Sequence, residues 1–149
     1  MNTENPIMRD QREIDSNHLK ILSIFYYITS VMSILGIGFL YVHYLIFSKF
    51  LADPKFGKEF AQNSQAFPVE IFSFLKWFYL IFGLIAIIAG LLNFIAGRFI
   101  QKRTNKNAIF AIACINCLQM PFGTILGAAT IFVLLRETVK IQFSENMKI

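Results

Sequence analysis

Acidic residues are scarce in this 149-residue chain, and none falls within its three long hydrophobic stretches, at 21–47, 77–97 and 108–135. A carboxylate in the bilayer commonly relays protons or binds a cation, so its absence argues against an ion-coupled transporter. The same stretches contain no paired carboxylates, no nucleophile–base arrangement and no Gly-rich phosphate loop. The sequence therefore predicts no catalytic residue and no enzymatic activity.

Cysteine and histidine are also rare, with two of each. Cys114 and Cys117 form a C-x-x-C pattern whose sulfurs share one helix face, which is compatible with a membrane thiol oxidoreductase. However, there is no second cysteine pair, and apolar flanks disfavour the reactive thiolate. Two thiols are too few for a zinc site, and His18 and His43 are too far apart on one helix to share a haem. We expect no metal and no cofactor.

Charged residues make up only 15% of the chain and hydrophobic residues 56%, whereas an ordinary soluble domain is about 25% charged. Each hydrophobic stretch exceeds the roughly 20 residues that a membrane helix needs. The pattern predicts an all-α integral membrane protein whose last segment is broken at Pro121–Gly123, with three to four transmembrane helices in a small bundle. The basic residues flank these spans, so the net charge of +5 indicates membrane orientation, not a nucleic-acid partner.

The polar segments divide a single membrane domain, 1–149, into seven parts. In order they are a cytoplasmic polar N-terminus (1–20), a first span (21–47), an external loop (48–70), a second span (71–97), a basic cytoplasmic loop (98–107), a broken third segment (108–135) and a polar tail (136–149). The loop at 48–70 is compatible with either a partly ordered loop or an interfacial helix. The basic loop has four cations and no acid, which predicts that it is cytoplasmic; the cations are Arg98, Lys102, Arg103 and Lys106.

The third segment has two possible topologies. If it crosses once, seven Lys and Arg lie on each side of the membrane; if it turns back at Pro121–Gly123, ten lie inside and four outside, as the positive-inside rule favours. Each arm, however, is only about 18–20 Å long, which is short for a span. A hairpin and a single helix kinked by Pro121 both remain open. Polar residues near the break would line it, namely Asn116, Gln119 and Thr124.

Small residues mark two predicted helix-packing faces. Backbones in lipid approach closely where side chains are small, and a buried amide adds a hydrogen bond between helices. The first face lies on the second span and consists of Gly83, Ala86, Gly90, Asn93 and Gly97. The second is the G-x-x-x-G pattern of Gly123 and Gly127.

Residues 18–27, 96–99 and 117–127 resemble a family of small, uncharacterised bacterial membrane proteins. The most distinctive stretch is the last, with the motif C-L-x-x-P-F-G-T-x-L-G in the final hydrophobic segment. The resemblance implies a multi-pass protein of the bacterial inner membrane with three or four helices and no known activity. It transfers no functional residue.

These observations lead to a ranked set of functional hypotheses. The first is a non-enzymatic accessory or interaction subunit, cytoplasmic at its N-terminus, whose partners are the lipid bilayer and either its own copies or another membrane protein. The second is a small transporter or channel that uses the broken segment around Pro121. A thiol oxidoreductase and a toxin-immunity protein follow.

Overall fold

The computed structural model describes residues 6–52, 69–119 and 121–146, and within them the chain forms five α-helices and no strand. These are α1 (Pro6–Ala52), α2 (Val69–Lys102), α3 (Lys106–Cys117), α4 (Phe122–Leu134) and α5 (Glu137–Asn146). By length and composition, α1 and α2 can each cross a membrane, and α4 with α5 can make a third crossing although they meet at 78°. The predicted all-α class with a broken last segment is confirmed.

Helix α1 is much longer than the predicted first span, because it begins at Pro6 instead of residue 21. Proline is well tolerated in the first turn, where its missing N–H has no helical partner to lose. At its other end α1 continues to Ala52, and α2 begins at Val69, so both ends of the predicted external loop are helical. The choice between a loop and an interfacial helix concerns residues 53–68, which lie outside the described residues.

The predicted basic loop is reduced to a turn of three residues between α2 and α3. The Arg103 amide donates to the Ile100 carbonyl at 3.1 Å, and the Thr104 amide donates to the Phe99 carbonyl at 3.0 Å. These two bonds form a Schellman motif, which requires a left-handed residue just after the helix. Arg103 takes that conformation, with φ of 52°, at a position where glycine is usual.

The third hydrophobic segment is a helical hairpin and not one kinked helix. Gly123 lies against Asn116, and Gly127 lies against Ala113 and Cys117, so α3 and α4 run antiparallel. Their 12 and 13 residues correspond to about 18–20 Å each, which is less than the roughly 30 Å hydrocarbon core.

The chain divides into two compact units, and both α1 and α2 contribute to each of them. The first unit consists of Met1–Ser30 with Leu91–Ile149, and the second of Val31–Gly90. The first unit holds the buried hydrophobic core, in which Tyr26, Ile109 and Val139 are fully enclosed. In the second unit, among residues 31–50 and 74–90, Gly90 alone is buried.

Candidate functional site

Asp15, in the first unit, has a completely buried carboxylate that is bonded to several other residues. Arg136, just before α5, donates to Asp15 Oδ1 from Nη1 at 2.6 Å, and the Thr138 hydroxyl donates to Oδ2. Arg136 Nη1 also donates to His18 Nδ1 at 3.2 Å. We call these four residues the Asp15 cluster. A buried carboxylate is tolerated when its charge and its lone pairs are both satisfied in this way.

The ionisation of Asp15 reflects two opposing effects. Burial raises the pKa of this carboxyl, but the hydrogen bonds from Thr138 and Arg136, together with the Arg136 charge, outweigh burial and leave the pKa below its ordinary value of 3.8. The group therefore carries its negative charge at neutral pH and holds Arg136 in place. This arrangement is an ion pair that ties α1 to the start of α5.

Further contacts extend the attachment of α5 along α1. Gln142 Nε2 donates to the Arg12 carbonyl at 3.1 Å, and Arg12 pairs with Glu145 at 3.3 Å. The N-terminal part of α1 and the C-terminal helix therefore lie side by side in the first unit.

The predicted basic loop lies at this same end of the first unit. Arg103 Nη2 donates to the Ser16 hydroxyl at 2.6 Å. Burial and then the nearby positive charge of Lys140 lower the pKa of Lys106, so the start of α3 is close to α5. Arg98 and Lys102 are exposed on α2. Arg103 and Lys106 therefore adjoin the two terminal segments, whereas no contact places Arg98 or Lys102 beside them in the described residues.

Deeper in the first unit, a polar core cluster joins α1, α2 and the hairpin. It consists of Tyr26, Asn93, Asn116 and Thr130, each at most 2% exposed. Asn116 Nδ2 donates to Asn93 Oδ1 at 2.7 Å, which links α3 to α2. The Tyr26 hydroxyl lies beside Thr130 and Asn116, yet among the described residues it has no partner in hydrogen-bond geometry, and neither has Asn93 Nδ2. Unsatisfied buried donors are unusual and require explanation.

The three residues predicted to line the break have different surroundings. Asn116 is in the polar core cluster, whereas Gln119 and Thr124 are half-buried at the turn between α3 and α4. The Thr124 hydroxyl donates to the Cys117 carbonyl at 2.9 Å, so it satisfies the end of α3. The structure therefore does not gather these three side chains into one lining.

The glycines of the predicted packing faces are closely packed in the first unit but not in the second. A methyl group added to Gly123 would lie 2.6 Å from the Asn116 carbonyl oxygen, and one on Gly127 would meet the Ala113 carbonyl oxygen and Cys117 Sγ. One on Gly97 would be 3.1 Å from the Tyr27 ring. Gly83, by contrast, has no neighbouring atom within 4 Å of this position, and Ala86 is half-buried. The first unit already uses its glycines for packing.

The remaining candidates for chemistry do not come together. Cys114 is exposed, Cys117 is half-buried, and both are free thiols. No group of three or more His, Cys, Asp or Glu that could hold a metal ion is found within the described residues. His18 belongs to the Asp15 cluster, whereas His43 lies in the second unit.

The second unit has an aromatic end instead of a buried core. His43 Nδ1 is hydrogen-bonded to the Tyr79 hydroxyl, and its ring stacks on Phe47 with centroids 6.1 Å apart. A cleft of about 300 Å³, the tyrosine cleft, opens between the α1 and α2 parts of this unit. Tyr41, Tyr44, Tyr79 and Lys76 line it together with Gly83.

Sequence reasoning did not predict the Asp15 cluster or the role of Tyr26. Asp15 and Arg136 lie in the two terminal segments that the sequence predicts to be polar flanks. Neither segment contains a pattern that indicates contact between these two residues. Tyr26 lies in an apolar run where a tyrosine is usually placed at the interface. A signal was present only for Asn93 and Asn116, as two amides within hydrophobic segments.

Comparison with known proteins identifies no relative of this chain. No protein-family model matches it, and neither a curated protein nor a solved structure does.

Proposed function

We propose that this chain is a non-enzymatic membrane protein that acts by helix–helix association, and that its second unit binds a second copy of the chain in the bilayer. The second unit favours this role because its two helices leave most of their surface without a protein neighbour. Ile34 is 65% exposed and Phe39 is 69% exposed. Exposed apolar side chains alone only indicate contact with lipid, so the small-residue positions are more informative.

The observation that carries the proposal is the unfilled space at Gly83 and along the tyrosine cleft. Helices associate in lipid where small residues allow close approach, because lipid tails are as apolar as the helices themselves. Gly36 and Gly83 lie half-buried on the inner faces of their helices, yet no atom lies within 4 Å of a Cβ built on either. Side chains from a helix of a second copy would fill this space.

The glycines of the first unit also support association through the second unit, because they are already in contact with other parts of the chain. Gly123 and Gly127 already contact the backbone of α3, and Gly97 contacts Tyr27. The amides of Asn93 and Asn116 are also bonded to each other. Among the described glycines, those with open space beside them are Gly36, Gly38 and Gly83, and all three lie in the second unit.

Self-association can be tested by energy transfer between two labelled populations of the full chain in liposomes. We expect transfer for the wild type that depends on the protein-to-lipid ratio, and its loss in Gly83→Leu, which fills the tyrosine cleft. Gly38→Leu is the matched control, since Gly38 also has open space but is exposed outside the cleft. A wild type without transfer, or equal loss in both variants, would contradict the proposal; a heterologous partner purified in fixed ratio would replace self-association.

A small transporter or channel is the second candidate, and it is favoured by the donors of Tyr26 and Asn93 that have no partner among the described residues. Polar groups at membrane depth commonly mark a pathway or a binding position. If the chain conducts a solute, purified protein in liposomes will show flux that falls in Tyr26→Phe. Flux that persists unchanged in Tyr26→Phe and in Asn116→Ala with Gln119→Ala would eliminate this pathway.

We further propose that the chain resides in the bacterial inner membrane with both termini in the cytoplasm. The attachment of α5 to the N-terminal part of α1 supports a common side for the two ends. With that topology, ten Lys and Arg lie inside and four outside, as the positive-inside rule expects. Reporters fused before Met1 and after Ile149 should both give a cytoplasmic signal, and opposite signals would rule the topology out.

A further inference from the structure

We propose that a second cleft, in the first unit, binds the phosphate headgroup of an anionic phospholipid and the first part of one acyl chain. This basic cleft of about 280 Å³ lies between α1 and the end of α2. Lys20, Arg103 and Ser16 form its polar side, and Leu19, Ile24 and Ile100 form its apolar side. Its volume fits a headgroup with its glycerol and not a whole lipid.

The charge of the basic cleft favours an anion. Lys20 and Arg103 are the charged residues among its lining, which includes no acidic residue. Asp15 is next to Ser16 in sequence, but its carboxylate is directed to Arg136 and Thr138. A guanidinium has five N–H donors in a planar fork that matches phosphate oxygens, and one bond from Arg103 to Ser16 leaves donors for a ligand.

The backbone of the turn positions Arg103 for this role. Its left-handed conformation, with φ of 52°, ends α2 and begins the connection to α3. A non-glycine residue in this conformation is strained, and such residues are enriched at ligand-binding sites. The side chain is half-buried and directed to Ser16 on α1. A cation is thereby fixed at the mouth of the cleft and not left on a mobile stem.

The apolar side of the basic cleft indicates a lipid instead of a free anion. Leu19 and Ile100 are 2% and 1% exposed and form a floor, whereas Ile24 is 56% exposed at the edge. Lys20 is the last charged residue before the long apolar part of α1, so the cleft lies where headgroups meet hydrocarbon. An acyl chain can pack along Ile24, whereas inorganic phosphate has no apolar part to contact this surface.

Lipid binding can be measured on the full chain in a neutral mild detergent by native mass spectrometry. We expect phosphatidylglycerol to bind more tightly than phosphatidylcholine with the same acyl chains. Each basic side chain near an anionic lipid strengthens binding roughly fivefold, so Lys20→Gln with Arg103→Gln should weaken phosphatidylglycerol binding about thirtyfold. The matched control is Arg98→Gln with Lys102→Gln, which removes two exposed cations at the end of α2 that do not line the cleft.

Each result of these binding measurements supports or overturns the assignment of the basic cleft as a lipid site. Selective loss in the cleft variant supports it, and equal loss in both double variants shows general attraction to the basic face and overturns it. Competition by inorganic phosphate or glycerol phosphate as effective as that of the lipid also overturns it. If Arg103→Gln does not fold, exposed Lys20→Gln alone should still lose about fivefold, and unchanged binding in that variant would contradict the proposal.

Discussion

The two units of this chain use the same two long helices in different ways. In the first unit, α1 and α2 are joined by a hairpin and a terminal helix, and the contacts include a buried ion pair and a buried amide pair. In the second unit the described parts of α1 and α2 have one buried residue, Gly90, and an open cleft. Large apolar side chains are exposed in both units, so an exposed hydrophobic surface does not by itself distinguish them.

This difference shows what holds helices together when lipid is the solvent. Apolar side chains gain little by leaving lipid for a protein interface, so packing depends on close backbone approach and on polar contacts. The first unit satisfies both requirements within one chain. The second unit has the small residues but lacks the neighbour, which is why we assign association to it.

Removal of the cation from the Asp15 cluster should have the largest effect. Arg136→Met leaves Asp15 charged and completely buried, and loss of one partner of a buried pair costs about 3–5 kcal/mol. Unfolding by SDS titration into mild-detergent micelles will measure this loss. Arg12→Met is the control, since its pair with Glu145 is exposed and contributes about 0–1 kcal/mol. Equal effects of the two variants would contradict a stabilising role for the cluster.

A methyl group in the hairpin should have the next largest effect. Gly127→Ala forces a Cβ against the α3 backbone, and overpacking of this kind costs about 1–3 kcal/mol. Gly83→Ala should cause no loss, because no atom is within 4 Å. The same SDS titration compares them. If Gly127→Ala were as stable as Gly83→Ala, the two units would not differ in packing.

The amide pair should contribute less than the hairpin. Asn93→Leu leaves the Asn116 Nδ2 donor without its acceptor, and such bonds in membrane proteins average about 0.6 kcal/mol with a maximum near 1.7. Asn107→Leu, at an exposed position on α3, is the control and should change stability by less than about 0.5 kcal/mol. A more stable Asn93→Leu protein would show that the pair serves another purpose than stability.

The smallest effect should be a pH dependence confined to the first unit. The pKa of Asp15 is lowered in the folded state, so the stability it contributes is present above the ordinary value of 3.8 and is lost as the pH falls through the folded value. We expect the difference in unfolding between wild type and Asp15→Asn to shrink below about pH 4. A constant difference between about pH 6 and pH 3 would contradict this linkage.

Sequence patterns predicted the features that depend on long apolar runs and on backbone rules. The all-α class and the two long helices follow from the length of the apolar spans. The break near Pro121 follows from the loss of a backbone hydrogen bond at proline. Gly83, Asn93 and Gly97 lie on the less exposed face of α2. Such features are periodic or local, so a single sequence contains them.

The remaining features are contacts between residues far apart in the chain. Asp15 and Arg136 are separated by 121 positions, and Tyr26 meets the hairpin only after α3 and α4 have folded back. Both segments of the ion pair look like ordinary charged flanks. Nothing local in the sequence shows that they meet, because the attraction becomes strong only after burial removes water. The extension of α1 beyond the predicted span depends on similar contacts, since α5 bonds to α1 at Arg12 and Asp15.

The contrast between the units is tested most directly by measuring stability and self-association on the same two variants. Gly127→Ala should lose stability by SDS titration and, under conditions where it remains folded, retain energy transfer in liposomes. Gly83→Leu should show the reverse, with wild-type stability and no transfer, while Gly38→Leu resembles the wild type in both. If Gly83→Leu kept its transfer, or if one variant lost both properties together, the division between a self-packed unit and an associating unit would be wrong.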